Sequence, residues 1–431
     1  MLKYFLFAFL LLTNLPYNIF AQTTLTLDEA IKMALGSNLS LKKTEIDLAA
    51  SAFSVKNLWS EFFPSINVSA GVGYHNSLFS SSPPNMKNTS NNFSIGLSLN
   101  LNAGIPYAIK SIQMAHQSNI LRYDDARSQL SIQITKRFYS LIAEKDNLLL
   151  LEEVFNLAQR QHTRSESLFR NGMTSEMSLM QSLLAMENAR YSHAAAQITH
   201  DINMAEFLAM IGMSTNEEIT LSGEINIVRI DVDAEALIRE YLPFRPDIVS
   251  AAQEIERLRN SHIQTSMQSR APSVNLSLNW SSGFNPFSDS FSANANVSIP
   301  VDSWIPGTSR NQSISRSEDL IEKARLDLIM AENTARTQIR SFSAMLRNSW
   351  ESIRIARLSY ELASRNYNLT EQAFLFGVID VFALEDSRNN MASARQRLLQ
   401  AELSYFNTIL DLSAALNINW KRLVQLYGRE E

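Results

Sequence analysis

The chain has 431 residues, 45% of them hydrophobic and 19% charged, a composition that folds rather than staying disordered. Its 38 Lys and Arg against 43 Asp and Glu leave a formal charge of −5 without a basic block, so nucleic acid is not an expected partner. It contains no cysteine, which excludes disulfides, thiolate metal sites, cysteine nucleophiles and an acylated N-terminal cysteine.

At the N-terminus, Lys3 opens a short basic start and Tyr4 to Leu12 form an apolar run shorter than the ~20 residues that span a bilayer. Ile19, Phe20 and Ala21 before Gln22 give a small-residue cleavage site, so residues 1–21 are expected to be a signal peptide. Two alternating strands follow, at about 65–75 and 92–102. Ile66, Val68, Ala70 and Val72 alternate with Asn67, Ser69, Gly71 and Gly73; Phe93, Ile95, Leu97, Leu99 and Leu101 alternate with Ser94, Gly96, Ser98 and Asn100. The Ser-, Asn- and Pro-rich stretch between them, 76–92, is expected to be an outward loop, as is 281–290 in the second half.

Only 12 Gly and 11 Pro occur, and residues 107–171 contain neither. A breaker-free run this long, against ordinary helices of roughly 11 to 12 residues, predicts one continuous helix about 100 Å long at ~1.5 Å per residue. Ile134, Phe138, Leu141, Leu148 and Phe155 give it a seam close to the heptad period. It ends at Gly172, and Leu179, Leu183, Met186 and Leu208 then start a second helix, so the unit is a helical hairpin.

The second half repeats this plan. Strands are expected at about 273–282 and 290–300, where Val274, Leu276, Leu278 and Trp280, and Phe291, Ala293, Ala295, Val297 and Ile299, alternate with Asn and Ser. Residues 308–376 again contain no Gly or Pro, with Ile339, Leu346, Ile353 and Tyr360 seven apart beside Leu328, Ala335 and Phe342. The helix ends at Gly377, and Phe382, Leu384, Met391 and Leu398 carry the returning helix. An offset of 205 aligns Gly172 with Gly377, Leu179 with Leu384, Ser182 with Ser387 and Met186 with Met391, and an offset of 208 aligns Pro64–Ser69 with Pro272–Ser277. This is an internal two-fold repeat.

The polar face of the four strands is Asn, Ser and Gly with no Lys or Glu, which suits a hydrated lumen, and period two over nine to eleven residues is the pattern of a membrane strand. Four strands cannot close a barrel, and an open edge in lipid costs several kcal/mol per unsatisfied group, so several copies are expected to pool their strands.

These features in this order, with Leu25–Asn38 (LTLDEAIKMALGSN), the Arg245-Pro246-Asp247 restart and the glycine-centred turns, resemble the TolC-like outer-membrane efflux proteins over nearly the whole mature chain. The resemblance implies a mixed, mainly α fold: a homotrimer with one twelve-stranded β-barrel in outer-membrane lipid of a Gram-negative bacterium, continuous with a periplasmic α-barrel of coiled-coil hairpins. It implies repeats at 22–213 and 233–431 around an equatorial connection at 214–232, with a short tail after Trp420, and junctions between helix and strand around Pro64, Pro272, Leu101–Pro106 and Pro300–Gly307. It further implies a passive conduit served by a periplasmic adaptor and an inner-membrane transporter, with no cofactor.

By the same resemblance the tunnel mouth lies at the turns near Gly172 and Gly377. Where the family has acidic residues six and nine positions after the second glycine, this chain has Ala383 and Asp386, with Glu385 and Asp380 nearby; Asp386, Glu385 and Asp380 are the pore-entrance candidates, against the alternative that they are solvated residues at a helix start. Where the family places a tyrosine, an arginine and an acidic partner, the chain has Phe374, Ile379 and Ser178, so apolar packing of Phe374 and Ile379 is expected to hold the closed state. Gly172, Met173, Thr174, Ser175, Gly377 and Val378 are the adaptor-docking candidates. Met173, Met177 and Met180 are read as packing rather than a soft-metal site. His193 and His200, seven apart, are read as surface residues that no carboxylate or thiolate cluster joins, so no metal site is expected. No specific nucleophile, metal or phosphate-loop motif marks an enzyme. The alternatives are an exit duct for type I protein secretion and, in a different class, a soluble periplasmic coiled-coil spacer or adaptor.

Overall fold

The computed structural model describes residues 23–74, 89–215, 219–224, 227–284 and 287–429; the expected signal peptide and most of the expected loop at 76–92 lie outside the described residues. A short strand β1 (Thr23–Thr26) leads into helices α1 (Leu27–Ser37) and α2 (Leu39–Lys56), then strands β2 (Ser65–Tyr74) and β3 (Thr89–Asn102). The first long hairpin is α3 (Ile105–Arg170) with α4 (Glu176–Ile211). After β4 (Ile219–Ser222), β5 (Arg229–Ile230) and α5 (Ala234–Tyr241), the second half runs as α6 (Pro246–Arg270), β6 (Ser273–Phe284), β7 (Ser288–Ser298), α7 (Ser309–Leu375) and α8 (Val381–Leu416), closing with α9 (Trp420–Tyr427) and β8 (Gly428–Arg429).

The matching arms are 66 and 67 residues long, and both returning helices have 36. β3 begins at Thr89, and β7 spans 288–298 rather than the expected 290–300, giving way near Pro300 to a short 3₁₀ turn at Val301–Trp304.

The four long strands form one antiparallel sheet in the order β2-β3-β6-β7. Its register places Val68 opposite Ile95, Ile95 opposite Trp280 and Trp280 opposite Phe291, so the apolar positions share one face and the Asn, Ser and Gly positions the other. Next to the sheet the helices stand in the corresponding order α2, α3, α6, α7; farther away it is α4, α3, α8, α7. Among these described elements β2, α2 and α4 therefore form one lateral edge of the protomer, and β7 and α7 the other.

Two cores hold the helices together. Ile339, Leu346, Ile353, Leu398, Tyr405 and Ile409 line the α7–α8 seam; Ile134, Phe138, Leu141, Phe207, Leu208 and Phe406 line the α3–α4 seam and its join to α8. Of the seam positions read from the heptad spacing, Ile134, Phe138, Leu141, Ile339, Leu346 and Ile353 are at most 1% exposed, whereas Leu148, Phe155 and Tyr360 are half-buried. Small strand pairs lie beside these cores: β1 with β4, and β5 with β8. Tyr405 joins the β5–β8 pair to the helices by donating its hydroxyl to the Val228 carbonyl and accepting from the Ile230 N–H. Arg245, at the restart, forms a bidentate pair with Asp247 and donates to the Ala415 carbonyl and to Gln338.

Candidate tunnel mouth

The two helical turns share one construction, displaced by 205 residues. Gly172 (φ 69°) and Gly377 (φ 73°) occupy the left-handed region after α3 and α7. In the first, Gly172 N–H donates to the Phe169 carbonyl and Met173 N–H to Leu168; in the second, Gly377 N–H donates to Phe374 and Val378 N–H to Ala373. This pairing satisfies carbonyls that a helix end leaves without partners. Three residues after each glycine a polar side chain caps the returning helix: the Ser175 hydroxyl accepts from Ser178 N–H at 3.2 Å, and the Asp380 carboxylate accepts from Ala383 N–H at 3.0 Å. Ser178 and Asp380 thus belong to the caps themselves.

Between the tips lies a cleft of about 400 Å³ whose lining includes Arg160, Arg164, Ser178, Glu371, Phe374 and Asp380. The Arg164 guanidinium sits over the Phe374 ring at 5.1 Å from its centroid, a cation–π contact linking the first arms of the two hairpins. Ile379 is half-buried, whereas Met173, Met177, Met180 and Val378 are exposed.

One turn into α8 the three acidic candidates separate. Asp386 is exposed and accepts from the Asn390 side-chain amide at 3.1 Å. Glu385 is half-buried in a second cleft of about 510 Å³, with Gln181 and Leu184 of the first hairpin across from it. Burial holds its carboxyl above the ordinary range, against the opposing pull of Arg388. Arg388 is 2% exposed and donates to Gln161 across the α3–α8 contact at 3.1 Å.

Both histidines are half-buried rather than on the surface: His193 stacks on Phe155, and a single carboxylate, Glu144, lies 3.8 Å from Nδ1 of His200. Burial opposes ionisation of Glu144, but the nearby His200 and the hydrogen bonds donated by Asn203 and Ser140 outweigh it and leave the carboxyl below its ordinary range. Among the described residues no group of three or more metal-ligating His, Cys, Asp or Glu side chains comes together.

The sequence matches the family described as outer membrane efflux protein over residues 30–213 and 237–417. The chain belongs to that family. It is 21% identical over 419 residues to the probable efflux pump outer membrane protein TtgC of Pseudomonas putida, covering 91% of this chain and 83% of the relative, and the antibiotic efflux pump outer membrane protein ArpC of Pseudomonas putida matches equally well. Among solved structures, the Campylobacter jejuni CmeC outer membrane channel superposes with a TM-score of 0.75 at 16% identity, covering 93% of this chain and 88% of that one. The open-state MtrE outer membrane channel of Neisseria gonorrhoeae gives 0.71 at 15% identity, covering 92% and 90%. The protein is an efflux channel of the outer membrane, with a large periplasmic portion.

Several features of this efflux protein escaped the sequence argument. Arg164 and Arg388 were not singled out, because a guanidinium in a helical stretch carries no signal of the neighbouring hairpin it meets. Missed too were three outward seams whose signal was present: Leu39, Ile46 and Phe53 on α2; Met177, Leu184, Tyr191 and Ile198 on α4; and Ile355, Leu362, Leu369 and Phe376 at the tip end of α7, all spaced by seven and each at least 59% exposed.

Proposed function

We propose that three copies of the chain assemble into one conduit, with a twelve-stranded membrane barrel and a periplasmic helical tunnel, through which a transporter and its adaptor pass cargo to the exterior. The observation that carries this is the state of the protomer's two lateral edges. β2 and β7 each have a partner on one side only among the described strands, and they run antiparallel to one another, so copies added edge to edge continue the antiparallel alternation. The exposed seams on α2 and α4 lie at one edge and that of α7 at the other, so the same addition covers both.

Size favours three copies over two. Two copies would give eight strands, a barrel whose interior side chains fill, whereas three leave an open lumen between that and the aqueous channels of sixteen-stranded porins. Asp386 and Asp380, both exposed, are proposed to present carboxylates at the mouth, while half-buried Glu385 is set back in the hairpin seam within the electrostatic reach of Arg388. Phe374, held under Arg164, and Ile379 are proposed to keep the mouth closed until a partner opens it; Ile379→Asp should then raise single-channel conductance, and an unchanged conductance counts against the gate. Gly172–Ser175 and Gly377–Val378 are proposed to receive the adaptor, identifiable by crosslinking from cysteines introduced at Ser175 and Asp380. The assembly itself is tested by native mass measurement of detergent-extracted outer membrane together with planar-bilayer recording. A trimer that conducts is expected; a non-conducting monomer would overturn the proposal.

A further inference from the structure

We infer that the membrane barrel of this channel carries no charge filter: its lumen is a neutral surface of amides and hydroxyls that admits anionic and cationic cargo alike, leaving any charge selection to the helical mouth. The inference rests on the barrel proposed above, in which the apolar face of the sheet meets lipid and the other face lines the lumen.

On that second face β2 contributes Ser65, Asn67, Ser69 and Gly71, and β3 contributes Asn92, Ser94, Gly96, Ser98, Asn100 and Asn102. β6 and β7 extend the same rows: Asn67, Gly96, Asn279 and Ser292 lie side by side, as do Ser98, Ser277 and Asn294, and Asn100, Asn275 and Asn296. Many of these groups are already engaged within the wall. Ser65 bonds to Ser98, Ser69 to Ser94 and Ser281 to Ser290, with hydroxyl oxygens 2.6 to 2.7 Å apart. Asn side chains cover the glycines: the Asn92 amide oxygen lies 2.5 Å from where a Cβ on Gly71 would be, and that of Asn279 lies 3.5 Å from the corresponding point on Gly96.

The single ionisable carboxylate, lysine or arginine of the four described strands is Asp289. It stands opposite Ser282 near the β6–β7 turn, with the parity of the apolar positions. No ring of like charge therefore repeats down the lumen face. Dipoles of this kind hydrate either sign of ion, whereas rings of carboxylates or guanidinia set up potentials that exclude one sign.

The cysteine-free chain allows a direct test on the assembled channel in outer-membrane vesicles, independent of the periplasmic gate. Asn279→Cys and, separately, Ser277→Cys place a thiol on the lumen face, and Leu278→Cys places one on the lipid face. Each is exposed from outside to a cationic and an anionic methanethiosulfonate, and rates are divided by those for free cysteine. For the two lumen positions the normalised rates should agree within about threefold, since a lumen potential of only one kT/e would separate reagents of opposite charge by roughly sevenfold. Adding Ser277→Asp beside the Asn279→Cys thiol should open a gap of about tenfold favouring the cation, which shows that the assay senses charge. A gap of that size without the added carboxylate would overturn the neutral lumen while leaving the barrel standing. Reaction at Leu278→Cys as fast as at Asn279→Cys would overturn the barrel reading, and inertness of both lumen positions would overturn a hydrated lumen.

Discussion

At the scale of single residues, the candidate mouth combines structural and functional carboxylates, and substitutions separate the two. Asp380 caps α8 through its interaction with Ala383 N–H. Asp380→Ala should cost about 1 kcal/mol of local stability, seen as faster hydrogen exchange in the first turn of α8, whereas Asp380→Asn keeps the cap. A change in ion selectivity common to both variants would then report the lost charge rather than the lost cap. Glu144 provides a pH signature. Its folded carboxyl titrates below the ordinary 4.5, so the stability it contributes is present above that value and is lost as pH falls through the lower, folded one. Glu144→Gln should flatten this acid limb of the denaturation profile below about pH 4.5 and leave the neutral region comparatively level. An unchanged acid limb would show that the contacts to Asn203, Ser140 and His200 do not favour the ionised form.

At the scale of elements, each hairpin depends on a turn whose glycine no other neighbour demands. A Cβ built on Gly172 or Gly377 meets nothing within 4 Å, so the cost of alanine there is the backbone's alone. For an L-residue in the left-handed region that is roughly 1 to 2 kcal/mol. Gly172→Ala and Gly377→Ala should each lower tip stability by this amount, with Asn replacements milder, measurable by hydrogen exchange at residues 168–180 and 373–385. The corresponding position at the far end of α8 supports the milder ranking: Asn417 adopts φ 53°, where Gly212 at the end of α4 adopts φ 78°. The same 205-residue offset relates these two positions. Arms of matched length follow from helix ends placed at matched points, and a long arm without Gly or Pro has no internal reason to break.

At the scale of the whole molecule, a protomer this extended leaves much apolar surface without a partner, and the proposed assembly supplies one. Leu362→Glu places a charge in the outward α7 seam, where Leu362 is 59% exposed in the protomer and so contributes little to its fold. Loss of trimer with retained helical circular dichroism is expected, because a charge buried unpaired at an interface costs several kcal/mol. A trimer of undiminished stability would remove α7 from the interface. Tyr191→Glu, on the opposite edge, should behave in the same way.

Much of this molecule was legible from residue order. Alternation marked the strands, the absence of Gly and Pro over 107–171 and 308–376 marked the long arms, and seven-residue spacing marked Ile134, Leu141, Ile339 and Leu346 as seam residues. Those signals are local: each depends on the period of a strand or helix, which a single segment displays by itself. Contacts between segments distant in sequence have no such period. The pairing of β1 with β4, the grip of Arg245 on the Ala415 carbonyl, the stacking of Arg164 over Phe374 and the burial that separates Glu385 from Asp386 all join segments whose proximity exists only once the helices stand side by side. The sequence by itself therefore determined the four long strands, the long helices and the turns that end them, since these follow from periodicity and chain breakers. Only the tertiary structure decided which charges are buried, which apolar seams are left for another copy and how the two hairpin tips meet, because those depend on long-range packing.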